Sequence, residues 1–160
     1  MDTVFAVLDR YVTDTPPDTE GPFRAVFVGH GGDRQWEVVR DYLQESNFRV
    51  EAFETDERAG FNTLDVVSQM IHGSDLAVIV MTSADKLVNG SMLARQNVVH
   101  EIGFAQGVLG VPNTIILLEE GVTEFTNIAG LTQVRFRRGE IHTTKTRVLR
   151  AVDTRANRGC

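Results

Sequence analysis

Apolar positions along the chain follow two alternating rhythms. Short runs rich in aliphatic residues, Ala25 to Val28, Arg49 to Phe53, Leu76 to Met81, Thr114 to Leu118 and Gln133 to Phe136, read as strands. Between them, apolar residues recur every three to four positions, the period of a helix with one buried face. One helix is predicted from Asp33, as its N-cap, to about Ser46, with Trp36, Val39 and Leu43 on one side. A second opens at Thr63 and presents Leu64, Val67, Met70 and Ile71. A third runs from about Arg95 to Leu109, with Val98, Ile102, Ala105 and Leu109 as its apolar stripe. Leu76 to Met81 is apolar on both faces, as a central strand of a parallel sheet should be. Strands separated by helices of this length predict right-handed βαβ units. The expected fold class is α/β, a five-stranded parallel sheet in the order 2-1-3-4-5 flanked by helices. Ligands of such sheets bind at the carboxyl ends of strands 1 and 3.

Upstream, Val4, Phe5, Leu8, Tyr11 and Val12 share one helical face, and Thr13 to Gly21, with Pro16-Pro17, breaks that pattern. The expected division is an N-terminal helix and linker over 1–22, the main domain over 23–153 and a flexible tail over 154–160.

Composition then narrows the function classes. The chain has 160 residues, 42% hydrophobic and 24% charged, enough for one buried core. A net charge of −6 argues against nucleic acid as a partner. The longest purely apolar run, Leu76 to Met81, is six residues, whereas a membrane span needs about 20. Asp2 stands where a signal peptide would be basic. The expectation is a soluble cytoplasmic domain with no membrane partner. Cys160 has no second cysteine to pair with, and the four histidines show no metal-ligand spacing, so no metal is expected. The charge is uneven: residues 137–160 carry seven basic and two acidic side chains, +5 against −11 for the rest. That segment reads as a solvated basic helix, or as a surface meeting the acidic body of another copy.

Three segments sit where the sheet rule places a ligand. Gly29-His30-Gly31-Gly32 can bring backbone amides close to a ligand, and also suits a tight turn. It lacks the GxGxxG spacing of a dinucleotide fingerprint, and Asp33 would repel a phosphate at the next helix start. The second segment is Thr82 to Asp85, with Thr82, Ser83 and Asp85 as candidate contacts. The third is the start of the third helix. There Glu101 lies about 60–70° from the centre of the apolar stripe, at the edge of the buried face. Asn97 is one turn earlier, and Arg95 near the helix amino end favours an anion. Gly103 and Gly107 each cost about 1 kcal/mol relative to alanine, which suggests close backbone packing or a ligand wall.

Val26-Phe-Val-Gly-His-Gly31, Ala59-Gly60, Ala77-Val-Ile-Val-Met-Thr82 with Asp85, Ala94-Arg-Gln-Asn-Val-Val-His-Glu-Ile-Gly-Phe104 and Thr126-Asn-Ile-Ala-Gly-Leu131 occur in that order. Together they resemble the bacterial TIR-like domain family, the nucleotide-binding TIR of the CD-NTase-associated and Pycsar effector type, over residues 24–136. The piece around Arg95 to Phe104 is the specific one. Asn127 departs from the aspartate that members often carry there. The resemblance implies a flavodoxin-like TIR fold. It implies an NAD+ nucleosidase with Glu101 as the catalytic residue, and an antiviral, abortive-infection effector activated by self-assembly. It makes residues 54–62 the loop that contacts a neighbouring copy. It also implies a sensor domain or protein responding to a cyclic nucleotide, for which residues 1–22 and 137–160 are too short.

NAD+ would be substrate, with no cofactor. The nicotinamide leaving group is already cationic, so one carboxylate that steadies a ribosyl cation suffices. Gly29, His30, Gly31, Thr82, Ser83, Asp85 and Asn97 are the expected substrate contacts, with Arg95 near the diphosphate. Two other functions fit the same residues. One is a nucleoside 2-deoxyribosyltransferase or nucleotide N-hydrolase, which forms a covalent sugar intermediate on the helix glutamate. The other is a non-catalytic TIR scaffold.

Overall fold

The computed structural model describes residues 23–53, 63–125, 128 and 130–159. The expected helix over 2–13, the loop 54–62 and Asn127 lie outside the described residues.

Five parallel strands form the central sheet: β1 (Val26–His30), β2 (Val50–Ala52), β3 (Leu76–Met81), β6 (Thr114–Glu119) and β7 (Thr132–Phe136). Their order is β2-β1-β3-β6-β7, the expected 2-1-3-4-5 once the core strands are counted alone. Two further short strands, β4 (Asp85–Lys86) and β5 (Met92–Leu93), make an antiparallel hairpin that hydrophobic periodicity does not announce. Two residues per strand are too few to establish an alternation. Every residue of β3 and β6 is buried, because helices cover both faces. β7, at the edge, alternates instead, with Val134 and Phe136 inward and Arg135 outward.

The pleat sorts the strand residues into two cores. Phe27, Ile79, Met81, Ile116 and Leu118 face helices α2 (Thr63–His72) and α3 (Gln96–Leu109). Val28, Val78, Val80, Ile115 and Leu117 face helices α1 (Trp36–Glu45) and α4 (Lys145–Ala156). The α3 stripe Val98, Ile102, Ala105 and Leu109 is buried as its spacing predicts. In α2, Val67, Met70 and Ile71 are buried, but Leu64 is 42% exposed.

Three local expectations need correction. Asp33 does not cap α1. Its carboxylate accepts from the Gln35 backbone N–H at 3.1 Å, which makes a side-chain turn, and α1 begins after Gln35. Among the described residues, a Cβ at Gly103 or Gly107 would meet nothing within 4 Å, so neither glycine serves close packing against them. Finally, α4 continues through Ala156 and a 3-10 turn follows over Asn157–Gly159, so regular structure extends into the segment expected as tail.

Arg24 ties the entry of β1 to the turn after α2. Its guanidinium reaches Asp75 Oδ1 at 2.9 Å and the carbonyls of His72 and Ser74 at 3.1 and 3.0 Å. This fixes where β1 starts, and hence which residue arrives at its carboxyl end.

Leu117 is fully buried in the α1/α4 core, so Leu117→Ala should lower stability by about 2–5 kcal/mol in urea unfolding. Val88→Ser, at the exposed hairpin tip, should stay within about 0.5 kcal/mol.

Candidate functional site

The carboxyl end of β1 and the amino end of α3 enclose a cavity of about 520 Å³, within the range that holds small-molecule ligands. Gly29, His30, Gly31 and Gly32 form one wall, Arg95, Asn97, His100 and Glu101 of the α3 segment a second. Phe53 and the α2 residues Leu64 and Val67 supply an apolar third wall. The exposure of Leu64 is thereby explained: it faces the cavity and not the core.

Glu101 owes its place to the α3 stripe. Ile102 is fully buried against the sheet, which draws the adjacent turn down and half-buries the carboxyl beside β1. Gly29 makes room for it. A Cβ at residue 29 would lie 2.7 Å from Glu101 Oε2 and 3.2 Å from both Ile79 and Phe27. This glycine answers a steric need and not a turn geometry. Oε2 is buried and has no hydrogen-bond partner among the described residues. Burial pushes the Glu101 carboxyl up to about 8, against the opposing pull of a hydrogen bond from the His30 backbone.

Arg95 is the N-cap residue of α3, and its own side chain makes no hydrogen bond to the helix N–H groups. Its guanidinium rests against Gly32 and has no carboxylate partner among the described residues. A free guanidinium beside an uncapped helix start favours an anion. A Cβ at Gly31 would lie 3.6 Å from Val98 and 3.7 Å from the Arg95 stem, ordinary van der Waals contact.

The β3 end departs from expectation. Thr82 is buried and does not line the cavity. Ser83 is turned elsewhere: its Oγ donates to Glu119 Oε1 at 2.8 Å, and its backbone N–H to the same oxygen at 3.3 Å. Glu119 closes β6, is 2% exposed, and also accepts from Gln35 Nε2 at 3.0 Å. Ser83 therefore braces β3 against β6 on the α1 side. Asp85 lies in β4, paired with Leu93. A cavity lies at the edge the sheet rule picks, but only the β1 and α3 candidates gather around it. An acid ending an otherwise apolar run, Glu119, is the sequence signal for the brace. The apolar wall of Phe53 and Leu64 has no comparable signal, since it draws on two distant elements.

The parallel sheet, its helices and a half-buried glutamate beside the first strand define a TIR domain. The solved TIR domain of the Toll-related receptor TRR-2 from Hydra magnipapillata superposes with a TM-score of 0.59 at 13% identity, covering 84% of this chain and 99% of that one. The family model for the TIR domain of CAP12/Pycsar effector proteins matches residues 25–138, and the chain belongs to that family. No curated protein matches it. No helix among the described residues is long and apolar enough to cross a membrane.

Two substitutions probe this geometry. Gly29→Ala should cost about 1–3 kcal/mol in thermal unfolding, through overpacking against Ile79, Phe27 and Glu101. Glu101→Gln should stabilise the chain as pH rises. Below about 4.5 the carboxyl is neutral both folded and unfolded, so the two proteins should match. Between about 4.5 and 8 only the unfolded wild type releases its proton, so wild-type stability falls with pH while the amide variant is unaffected. The gain in Tm should therefore grow across that window and level off above it.

Proposed function

We propose that this TIR domain is an NAD+ nucleosidase, a hydrolase acting on the N-glycosidic bond between nicotinamide and ribose, with NAD+ as substrate and no cofactor. The observation that carries this reading is the Glu101 carboxyl, which lines a ligand-sized cavity and has one buried oxygen, set against Gly29, without a hydrogen-bond partner among the described residues. A buried acceptor without a donor suits a ligand that brings hydroxyl groups and a positive charge.

The chemistry needs little more. The C1′–N1 bond breaks with its electron pair retained by nicotinamide, which leaves neutral, and the positive charge passes to the ribosyl group. The Glu101 carboxylate orients the ribose hydroxyls and stabilises that cation. Water then adds at C1′ and releases a proton to solvent. Arg95 and the start of α3 would hold the diphosphate. Phe53, Leu64 and Val67 offer an apolar surface for the nicotinamide ring. Burial pushes the carboxyl up to about 8, and the cationic substrate would favour its ionised form.

Membership in the Pycsar effector family supports a defence role and an input from a cyclic-nucleotide sensor. Self-association through residues 54–62 belongs to the same reading, with the +5 C-terminal segment as a further contact.

The test is NAD+ cleavage measured against protein concentration, beside Glu101→Gln. The expected result is a steep rise with concentration and a loss of at least about 10²-fold in the variant. Wild-type turnover by Glu101→Gln would sink the proposal. Release of free base from deoxynucleosides without NAD+ cleavage would favour a deoxyribosyltransferase, and no turnover at any concentration a scaffold. Because the carboxylate is the working form, kcat/KM of the wild type should climb between pH 6 and 9 with a midpoint near 8 or below. A profile flat across that range would count against Glu101.

A further inference from the structure

We propose that His30 is a positioning residue for the Glu101 carboxyl, acting through the backbone of two chain segments rather than on a ligand. The inference rests on the reading of Glu101 as the reacting group.

The argument starts from the sheet ladder. β1 pairs with β2 only as far as Val28↔Ala52, whereas its pairing with β3 continues through His30↔Val80. Among the described residues, Gly29 and His30 therefore have no strand partner on the β2 side. The His30 ring takes over there. Its Nε2 lies 2.8 Å from the Phe53 carbonyl and its Nδ1 2.8 Å from the Gly31 carbonyl. One ring face stacks on Trp36 at 4.1 Å, with 7° between the planes, and Arg40 lies 5.1 Å from the Trp36 ring. Both nitrogens face carbonyl oxygens, so the neutral ring donates to one of them at a time, and with one face on Trp36 it is oriented by the protein. What reaches the site is the adjoining backbone: Gly29 packs against the carboxyl, where a Cβ would lie 2.7 Å from Glu101 Oε2, and the His30 peptide next to it favours the ionised form. One side chain thus fixes three things together: the glycine loop, the carbonyl at which the chain enters residues 54–62, and the peptide that holds the carboxyl. A displacement at Phe53 would reach Glu101 through it.

The experiment uses the full chain labelled with 13C at glutamate carboxyls, the Glu101 signal being assigned by its loss in Glu101→Gln. His30→Phe keeps a ring to stack on Trp36 but loses both nitrogens. His30→Gln keeps an amide N–H that can reach the Phe53 carbonyl. In folded His30→Phe, the Glu101 ionisation constant should fall by about threefold or more, because the backbone bond favouring the ionised form is loosened. His30→Gln should recover part of the difference. On NAD+, His30→Phe should lower kcat by about 10²-fold with KM within about threefold. A Glu101 titration unchanged in folded His30→Phe would overturn the proposal. So would a raised KM with unaltered kcat, which would assign the ring to the ligand. The carboxyl titration decides the matter even where no protein in the series cleaves NAD+, so failure of this inference is distinct from failure of the proposed activity.

Discussion

Removing one carboxyl from water at the junction of β1 and α3 is the constraint on which the rest of the site depends. Desolvation disfavours the ionised form, and a single backbone bond from His30 only partly offsets it. Such a group stays in place only if its surroundings hold it there. Val98, Ile102, Ala105 and Leu109 anchor α3 to the sheet, and the fully buried strands β3 and β6 give that anchor a rigid base. Gly29 is the complementary concession on the strand side, since any larger residue would occupy the carboxyl's space. Stability is lost at this one point and supplied by the two cores around it, a balance typical of sites built for chemistry.

A second carboxylate on the same edge shows what a purely structural acid looks like. Glu119 is almost fully buried, yet it accepts from the Ser83 N–H, the Ser83 hydroxyl and the Gln35 amide. Its lone pairs are used, and it joins the ends of β3 and β6 to the entry of α1. Glu101, on the opposite face of the sheet, is only half-buried as a residue, yet its buried Oε2 has no donor among the described residues. The two acids differ in satisfaction as well as in burial. An unsatisfied buried acceptor is costly to maintain, and the cavity beside it supplies a reason for the cost.

The sheet order and the Glu101 position were legible in the sequence because both depend on local periodicity. Leu76 to Met81 announced a central strand, and the α3 stripe placed Glu101 at a buried edge without reference to any other element. What could not be read were contacts between residues far apart in the chain. His30 pairs with Phe53 across 23 residues and Ser83 with Glu119 across 36. Residue type alone made both look like ligand contacts, whereas each spends its polar atoms on the protein. Leu64 erred in the other direction, since its helical phase fits a core residue and only the assembled fold shows that a cavity lies before it. Asp33 chose a local turn over the cap position because the two motifs draw on the same side-chain acceptor.

The distribution of charge bears on where an anion can bind. Arg24, Arg34, Arg40 and Arg49 each face an acid of the same chain. Within the basic C-terminal segment, Lys145 meets Glu45, Arg147 reaches the Arg135 carbonyl and Arg155 reaches Pro112 and Thr132. Part of that segment's charge is therefore engaged within the molecule, and exposed pairs of this kind contribute little to stability. Arg95 differs from the arginines before it in having no acid beside it among the described residues, although it sits next to a helix start that also attracts negative charge. Pairing Arg95 internally would have cancelled the field at the cavity mouth. With no acid beside it among the described residues, Arg95 leaves a positive charge on the wall of the cavity that Glu101 also lines.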